Sequence, residues 1–255
     1  MATINDKHLA LEKLRRRFSA SGLLYTARGQ TRPDKSLFDA SIFAKGLHEV
    51  VCETPTDHTA TMAFALAVAS ITGKTGKPML IATLTGEAQE HGALYGSGLQ
   101  ALRIDAKRVC MVTVNREKEL LWALEEAASC AALGAVVALL TRREKLYGFT
   151  ASRRLKLRQE KSGVPLFIVR QGSGDATAAT ARWHVGSLSS RGVITPHSSV
   201  PLLGAPHFSV RREACAGLPP QTWEIELDAS LGLRMAASFS DRPARAAETG
   251  NRSAA

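Results

Sequence analysis

Two stretches of this chain hold the residue types from which a phosphate-binding loop is built, and neither completes the pattern. Such a loop reads G-x-x-x-x-G-K-[ST] and lies between a strand and a helix. Its glycines let the backbone wrap an anion, its lysine supplies charge, and its hydroxyl holds a metal ion. Gly73-Lys74-Thr75 ends like such a loop, but Val68 stands where the upstream glycine belongs. The triplet also follows a helical stretch and precedes a strand-like one, so it reads as a helix stop and turn.

The second stretch is in the right place. Leu47 to Cys52 reads as a strand and Thr59 to Ile71 as a helix, and the junction is Cys52-Glu53-Thr54-Pro55-Thr56-Asp57-His58-Thr59. Against the loop pattern, Cys52 and Asp57 replace both glycines, His58 replaces the lysine, and the hydroxyl of Thr59 alone survives. A Cβ at 52 or 57 hinders close approach to phosphate, a mostly neutral imidazole is a poor substitute for an ammonium, and Glu53 and Asp57 would repel a triphosphate. The apolar strand Ala135 to Leu140 runs on into Thr141, without the acidic residue that would hold a metal ion in an active nucleotidase. These residues predict a degenerate phosphate loop, with no catalytic residue, no cofactor and no metal.

The elements around the junction alternate. After the first helix come a strand at Met79 to Leu84, a helix at Leu94 to Leu102, a strand at Arg108 to Val114 and a helix at Glu117 to Leu133. Ala135 to Leu140 and Leu166 to Val169 are wholly apolar, as strands covered on both faces are, and Thr150 to Ser162 bridges them as a helix stopped by Gly163. The pattern predicts an α/β fold with a doubly wound, mainly parallel sheet. Pieces around Arg182 to Val185, His207 to Arg211 and Thr222 to Leu227 read as antiparallel strands added at one edge. Residues 1–45 are expected to form a basic N-terminal helix and linker, 46–235 the core, and 236–255 a disordered tail.

With 255 residues, 45% of them hydrophobic, the chain can bury a core in one such domain. Its 33 Lys and Arg outweigh 23 Asp and Glu, and a net charge of +10 favours polyanionic neighbours without requiring them. Arg153, Arg154, Lys156 and Arg158 share one helix, and Arg15, Arg16 and Arg17 another. The first group is a candidate contact to DNA or to an acidic partner and reads equally as a solvated helix face; the second is a candidate nucleic-acid contact, but reads first as an amphipathic helix packing Leu11, Leu14 and Phe18 on the core or a partner. Cys52, Cys110, Cys130 and Cys215 lie far apart and suggest neither zinc nor disulfides. His91, His184, His197 and His207 lack metal-ligand spacing, and Trp183 and Trp223 read as packing residues. No stretch approaches the roughly 20 apolar residues of a membrane span. A cytoplasmic protein is expected.

Several short stretches carry a family resemblance. Gly46-Leu47-His48-Glu49-Val50 and Thr150-Ala151-Ser152-Arg153-Arg154-Leu155 are similar to stretches of ImuA proteins. So, in order, are Leu94-Tyr95 with Gly98-Leu99, Ile104-Asp105 with Arg108, Trp122-Ala123-Leu124-Glu125-Glu126, Ser162-Gly163-Val164-Pro165, Arg182-Trp183 and Gly204-Ala205-Pro206. The resemblance covers about Phe38 to Leu227. It implies a RecA-like core on a degenerate P-loop NTPase fold, in which Gln171 to Thr180 takes the place of a DNA-facing loop. It also implies an accessory role in SOS-induced, error-prone translesion synthesis. The implied partners are an ImuB-like inactive polymerase and an error-prone replicative-type DNA polymerase, with RecA as a further one. Two other readings stay open: a RecA-type DNA-dependent ATPase using an atypical loop, and a DNA-binding protein that needs no nucleotide.

Overall fold

The computed structural model describes residues 40–102, 104–140, 146–172, 176–190, 192–195, 198–213, 220–227 and 233–235. The N-terminal helix with Arg15, Arg16 and Arg17, the tail 236–255, Cys215 and His197 lie outside them. Contacts divide the chain into two units, 36–189 with 206–255 and 1–35 with 190–205. The described part of the second unit is a hairpin of β7 (Val193–Thr195) and β8 (Ser198–Leu202), paired antiparallel.

The first unit is a nine-stranded sheet in the order β11-β10-β9-β6-β1-β5-β4-β2-β3. Its parallel part consists of β1 (Leu47–Cys52), β2 (Met79–Leu84), β3 (Val109–Val114), β4 (Ala135–Leu140), β5 (Leu166–Arg170) and β6 (Ala181–Leu188). The antiparallel strands β9 (His207–Arg212), β10 (Gln221–Leu227) and β11 (Leu233–Met235) extend one edge. Arg182 to Val185, expected among the antiparallel strands, instead belongs to β6 and runs parallel to β1. β5 and β6 lie on opposite sides of β1, and both run parallel to it.

Helices cover both faces. On one lies α1 (His58–Thr72), whose Phe64 to Ala69 are all buried. Its alanines, at 65, 67 and 69, leave room for the helix to settle closely on Val50, Val137, Phe167 and Val169 of the sheet. The short α2 (Thr85–His91) and α3 (Gly96–Ala101) follow β2. The opposite face is covered by α4 (Glu117–Ser129) and α5 (Phe149–Ser162), packing Leu120, Leu124 and Leu155 on Val136, Ala138, Leu140 and Ile168. Helix α4 stops at Ser129 rather than Leu133, because Cys130 turns extended and Gly134 comes against another chain segment. The Gly134 N–H donates to the Pro78 carbonyl, and a Cβ there would lie 3.0 Å from the Lys77 oxygen. β3 is the exposed edge of the sheet, with Cys110 and Met111 open to solvent.

The start of β1 explains one stretch that carries the family resemblance. Gly46 has φ of +110°, and a Cβ would sit 2.6 Å from Thr180 Oγ1. That hydroxyl accepts from the Leu47 N–H, while the Thr180 N–H donates to the Leu47 carbonyl. Leu47 to Val50 are then wholly inside, flanked by β5 and β6. His48 is buried among Phe43, Phe167 and Trp183. Its Nε2 donates to the Lys45 carbonyl at 3.0 Å and its Nδ1 accepts from the Trp183 indole at 3.4 Å, an arrangement that needs a neutral ring.

Burial therefore lowers the His48 pKa to about 4, the hydrogen bond to Lys45 opposing the shift. Since the folded value lies below the ordinary 6.5, the stabilisation is complete above that value and is lost as pH falls towards 4. We expect this residue to contribute about 3 kcal/mol of acid destabilisation over that window. His48→Gln keeps a donor for Lys45 and cannot titrate, so it should lose that part of the slope in urea unfolding between about pH 7 and about pH 4.5. Equal slopes in the two proteins would refute the assignment.

Candidate functional site

The junction after β1 is closed by a single 3₁₀ turn, Pro55–Asp57, from which α1 starts at His58. Proline at the head of the turn and the β-region Thr54 ahead of it favour this geometry over a wide loop. The Glu53 N–H donates to the Val185 carbonyl at 2.9 Å, the Thr54 N–H to Asp57 Oδ2 at 3.0 Å, and the Asp57 N–H to the Thr54 carbonyl at 3.0 Å. Three amides that a phosphate loop would turn towards its ligand thus serve the protein itself.

Asp57 organises the turn. Its buried carboxylate accepts from the Thr54 N–H and hydroxyl (2.7 Å) and from the Ser187 N–H (2.8 Å) and hydroxyl (2.6 Å). Burial opposes ionisation, but the bonds from Ser187 and Thr54 outweigh it and hold the carboxyl below its usual pKa. Thr61, one turn into α1, donates to the carbonyls of Asp57 and Val185. Cys52, at the end of β1, is buried, and burial pushes its thiol pKa up, away from the reactive thiolate. Glu53 is exposed and pairs with Arg211 at 3.3 Å, and Thr59 is exposed.

His58 points elsewhere, stacking on His91 with ring centroids 3.9 Å apart. Burial first, then the neighbouring His91, lowers its pKa, with Glu90 opposing. One ring nitrogen from each histidine and a carboxylate oxygen of buried Glu87 lie within 4.8 Å of one another. Sequence reasoning missed this group because His58 is distant in the chain and α2 had not been recognised. The signal was the i, i+4 spacing of Glu87 and His91.

A buried charge network crosses the other face of the same strands. Glu49, fully buried, meets Arg182 at 2.8 Å and Arg170 at 3.2 Å and accepts from the Tyr147 hydroxyl at 2.9 Å. Arg182 continues to Glu213, which also bonds His184 at 2.6 Å. Arg170 and Arg182 come from strands flanking β1, a pairing that only the sheet order brings about. His207 reaches the Ser189 carbonyl, while the Arg212 guanidinium lies beside the packed Trp183 and Trp223 rings, 6.0 and 5.3 Å from their centroids.

The basic helix is α5. Arg154 pairs with Glu125 of α4 at 3.2 Å, and Arg158 reaches Glu125 at 2.8 Å and Glu126 at 3.6 Å. Arg153 is exposed and Lys156 partly so, and neither forms an ion pair with a described residue. The Gly73-Lys74-Thr75 triplet is a turn: Gly73 follows α1, and the Lys74 ammonium donates to the Ser162 carbonyl at the end of α5, at 2.8 Å.

No family model matches the chain. The ImuA proteins of two Caulobacter vibrioides strains, NA1000 / CB15N and ATCC 19089 / CIP 103742 / CB 15, are each 33% identical to it over 170 residues, covering 62% of this chain and 68% of theirs. The chain belongs to the ImuA family. Among solved structures, SulA from Pseudomonas aeruginosa overlaps 49% of this chain and 98% of its own, at 17% identity and a TM-score of 0.38. Among the described residues, no helix is long and apolar enough to cross a membrane.

In this ImuA-family chain, removing the Asp57 carboxylate leaves the Ser187 and Thr54 donors without their shared, partly buried acceptor. Asp57→Asn, which brings an amide donor against donors, should lower stability to urea by about 2–4 kcal/mol. Because the pKa is depressed, the native advantage over that variant should shrink as pH falls below the usual carboxylate range. An unchanged midpoint would show that these bonds hold nothing together.

Proposed function

We propose that the protein is a non-catalytic accessory in SOS-induced, error-prone translesion synthesis, a cytoplasmic adaptor on a RecA-like core whose degenerate loop cradles no nucleotide. It acts beside an ImuB-like inactive polymerase and an error-prone replicative-type DNA polymerase, with RecA as a further partner. The observation that carries the non-catalytic part is the closed turn at 52–59, where the amides of Glu53, Thr54 and Asp57 are bonded internally. Membership of the ImuA family supports the cellular role. The central position of β1, with the turn at its carboxyl end, supports the RecA-like reading, since open α/β sheets bind ligands at that edge.

Calorimetric titration with ATP and Mg²⁺ tests the first part directly. The expected outcome is no saturable heat and no phosphate release with single-stranded DNA. Tight binding that disappears in Thr59→Ala would replace the adaptor by an ATPase.

Docking is tested on α5. Arg154 and Arg158 are tied to Glu125, so the informative cations are Arg153 and Lys156. Changing both to Glu should weaken capture of an ImuB-like partner or retention on DNA by about tenfold in moderate salt, with the melting temperature unchanged. Full retention of both interactions would reduce the helix to a solvated face.

A further inference from the structure

We propose that His58, Glu87 and His91 form a binding site for a divalent transition-metal ion of the zinc class, a site that fastens α2 to the start of α1.

The residues come from two elements that leave the carboxyl ends of neighbouring parallel strands, His58 opening the helix after β1 and Glu87 and His91 lying in the helix after β2. Glu87 and His91 are one helical turn apart, a spacing that aims two ligands at one point. Their donor atoms and one nitrogen of His58 all fall within 4.8 Å. Tetrahedral zinc, with bonds of about 2.0 Å, spaces its ligands roughly 3.3 Å apart, so the set closes when the two stacked imidazole rings turn towards one another.

An independent observation points to a ligand. His58 Nε2 is buried and has no hydrogen-bond partner among the described residues. Leaving a buried ring nitrogen without a partner is costly, and a metal ion bound through it would supply one. The Glu87 carboxylate, 3% exposed, supplies negative charge where a dication would sit, and His91 approaches it at 3.8 Å.

Two imidazoles and one carboxylate suit zinc and its neighbours, whereas magnesium takes oxygen donors and water. The site is therefore no remnant of a magnesium-nucleotide centre, and it stands whether or not the turn at 52–59 binds ATP. Three protein ligands leave a fourth position, which water or a partner's side chain can fill. His91 is at the surface, so that position lies within a partner's reach.

The test uses the full chain, stripped with a chelator and titrated with Zn²⁺ against a chromophoric competitor, then with Co²⁺ for its visible spectrum. One equivalent should bind, raise the melting temperature, and show a Co²⁺ spectrum without a thiolate charge-transfer band. His91→Ala, a surface change, and Glu87→Gln should each weaken binding by about tenfold or more. Both should abolish the thermal shift while leaving the metal-free urea midpoint of the His91 variant unchanged. A chain with Cys110, Cys130 and Cys215 changed to Ser should bind as the parent does. If Glu87→Gln fails to fold, His91→Ala and His91→Gln decide. Undiminished affinity in the His91 variants, or binding lost with the cysteines instead, overturns the proposal.

Discussion

The Asp57 carboxylate joins the turn after the central strand to the backbone of β6, and the architecture around the candidate site follows from that bond set. Four donors converge on it, two from Thr54 and two from Ser187. With those bonds made, the turn is a compact 3₁₀ coil, α1 begins at His58, and the imidazole is directed at His91 instead of at the mouth of the turn. A glycine at 57 would have allowed a wider loop and provided none of these bonds. The aspartate at this position therefore acts as a structural lock on the turn.

Beneath the turn, β1 carries charge through the centre of the sheet. Glu49 sits between Arg170 of β5 and Arg182 of β6, with Tyr147 donating from the helix side. A buried network of this kind is a weak source of net stability, because desolvation offsets most of the attraction. Its effect is on register, since sliding β5 or β6 past β1 would strand a guanidinium or the carboxylate without a partner. The two neighbours of β1 in the sheet are thus specified by polar contacts as well as by the apolar face opposite.

Much of this was legible in the residues. The alternation of apolar runs and amphipathic stretches gave the parallel strands and the helices α1, α4 and α5, because each run is long enough and pure enough in its period to be read locally. The junction at 52–59 could be placed for the same reason. The direction of β6 could not, since Arg182 to Val185 alternates like any edge strand and only the partner decides whether it runs parallel. The helix Thr85–His91 was hidden by Gly86 and by its shortness. The group His58, Glu87 and His91, and the ions around Glu49, depend on which strands adjoin, information that no local pattern contains. The expected basic face was visible as four cations on α5, but the glutamates of α4 that engage Arg154 and Arg158 belong to another element.

The order of strands also sets how the chain reaches its native state. β1 is made early in the sequence, yet its partners are β5, joined through Leu47 and Leu166, and β6, joined through His48 and Ala181. A nascent chain that has emerged only as far as α4 therefore holds an apolar strand with both edges vacant. Pairing over such separations is slow, because loop closure precedes any gain from contact. Until β5 and β6 are synthesised, the central strand has neither of its sheet partners.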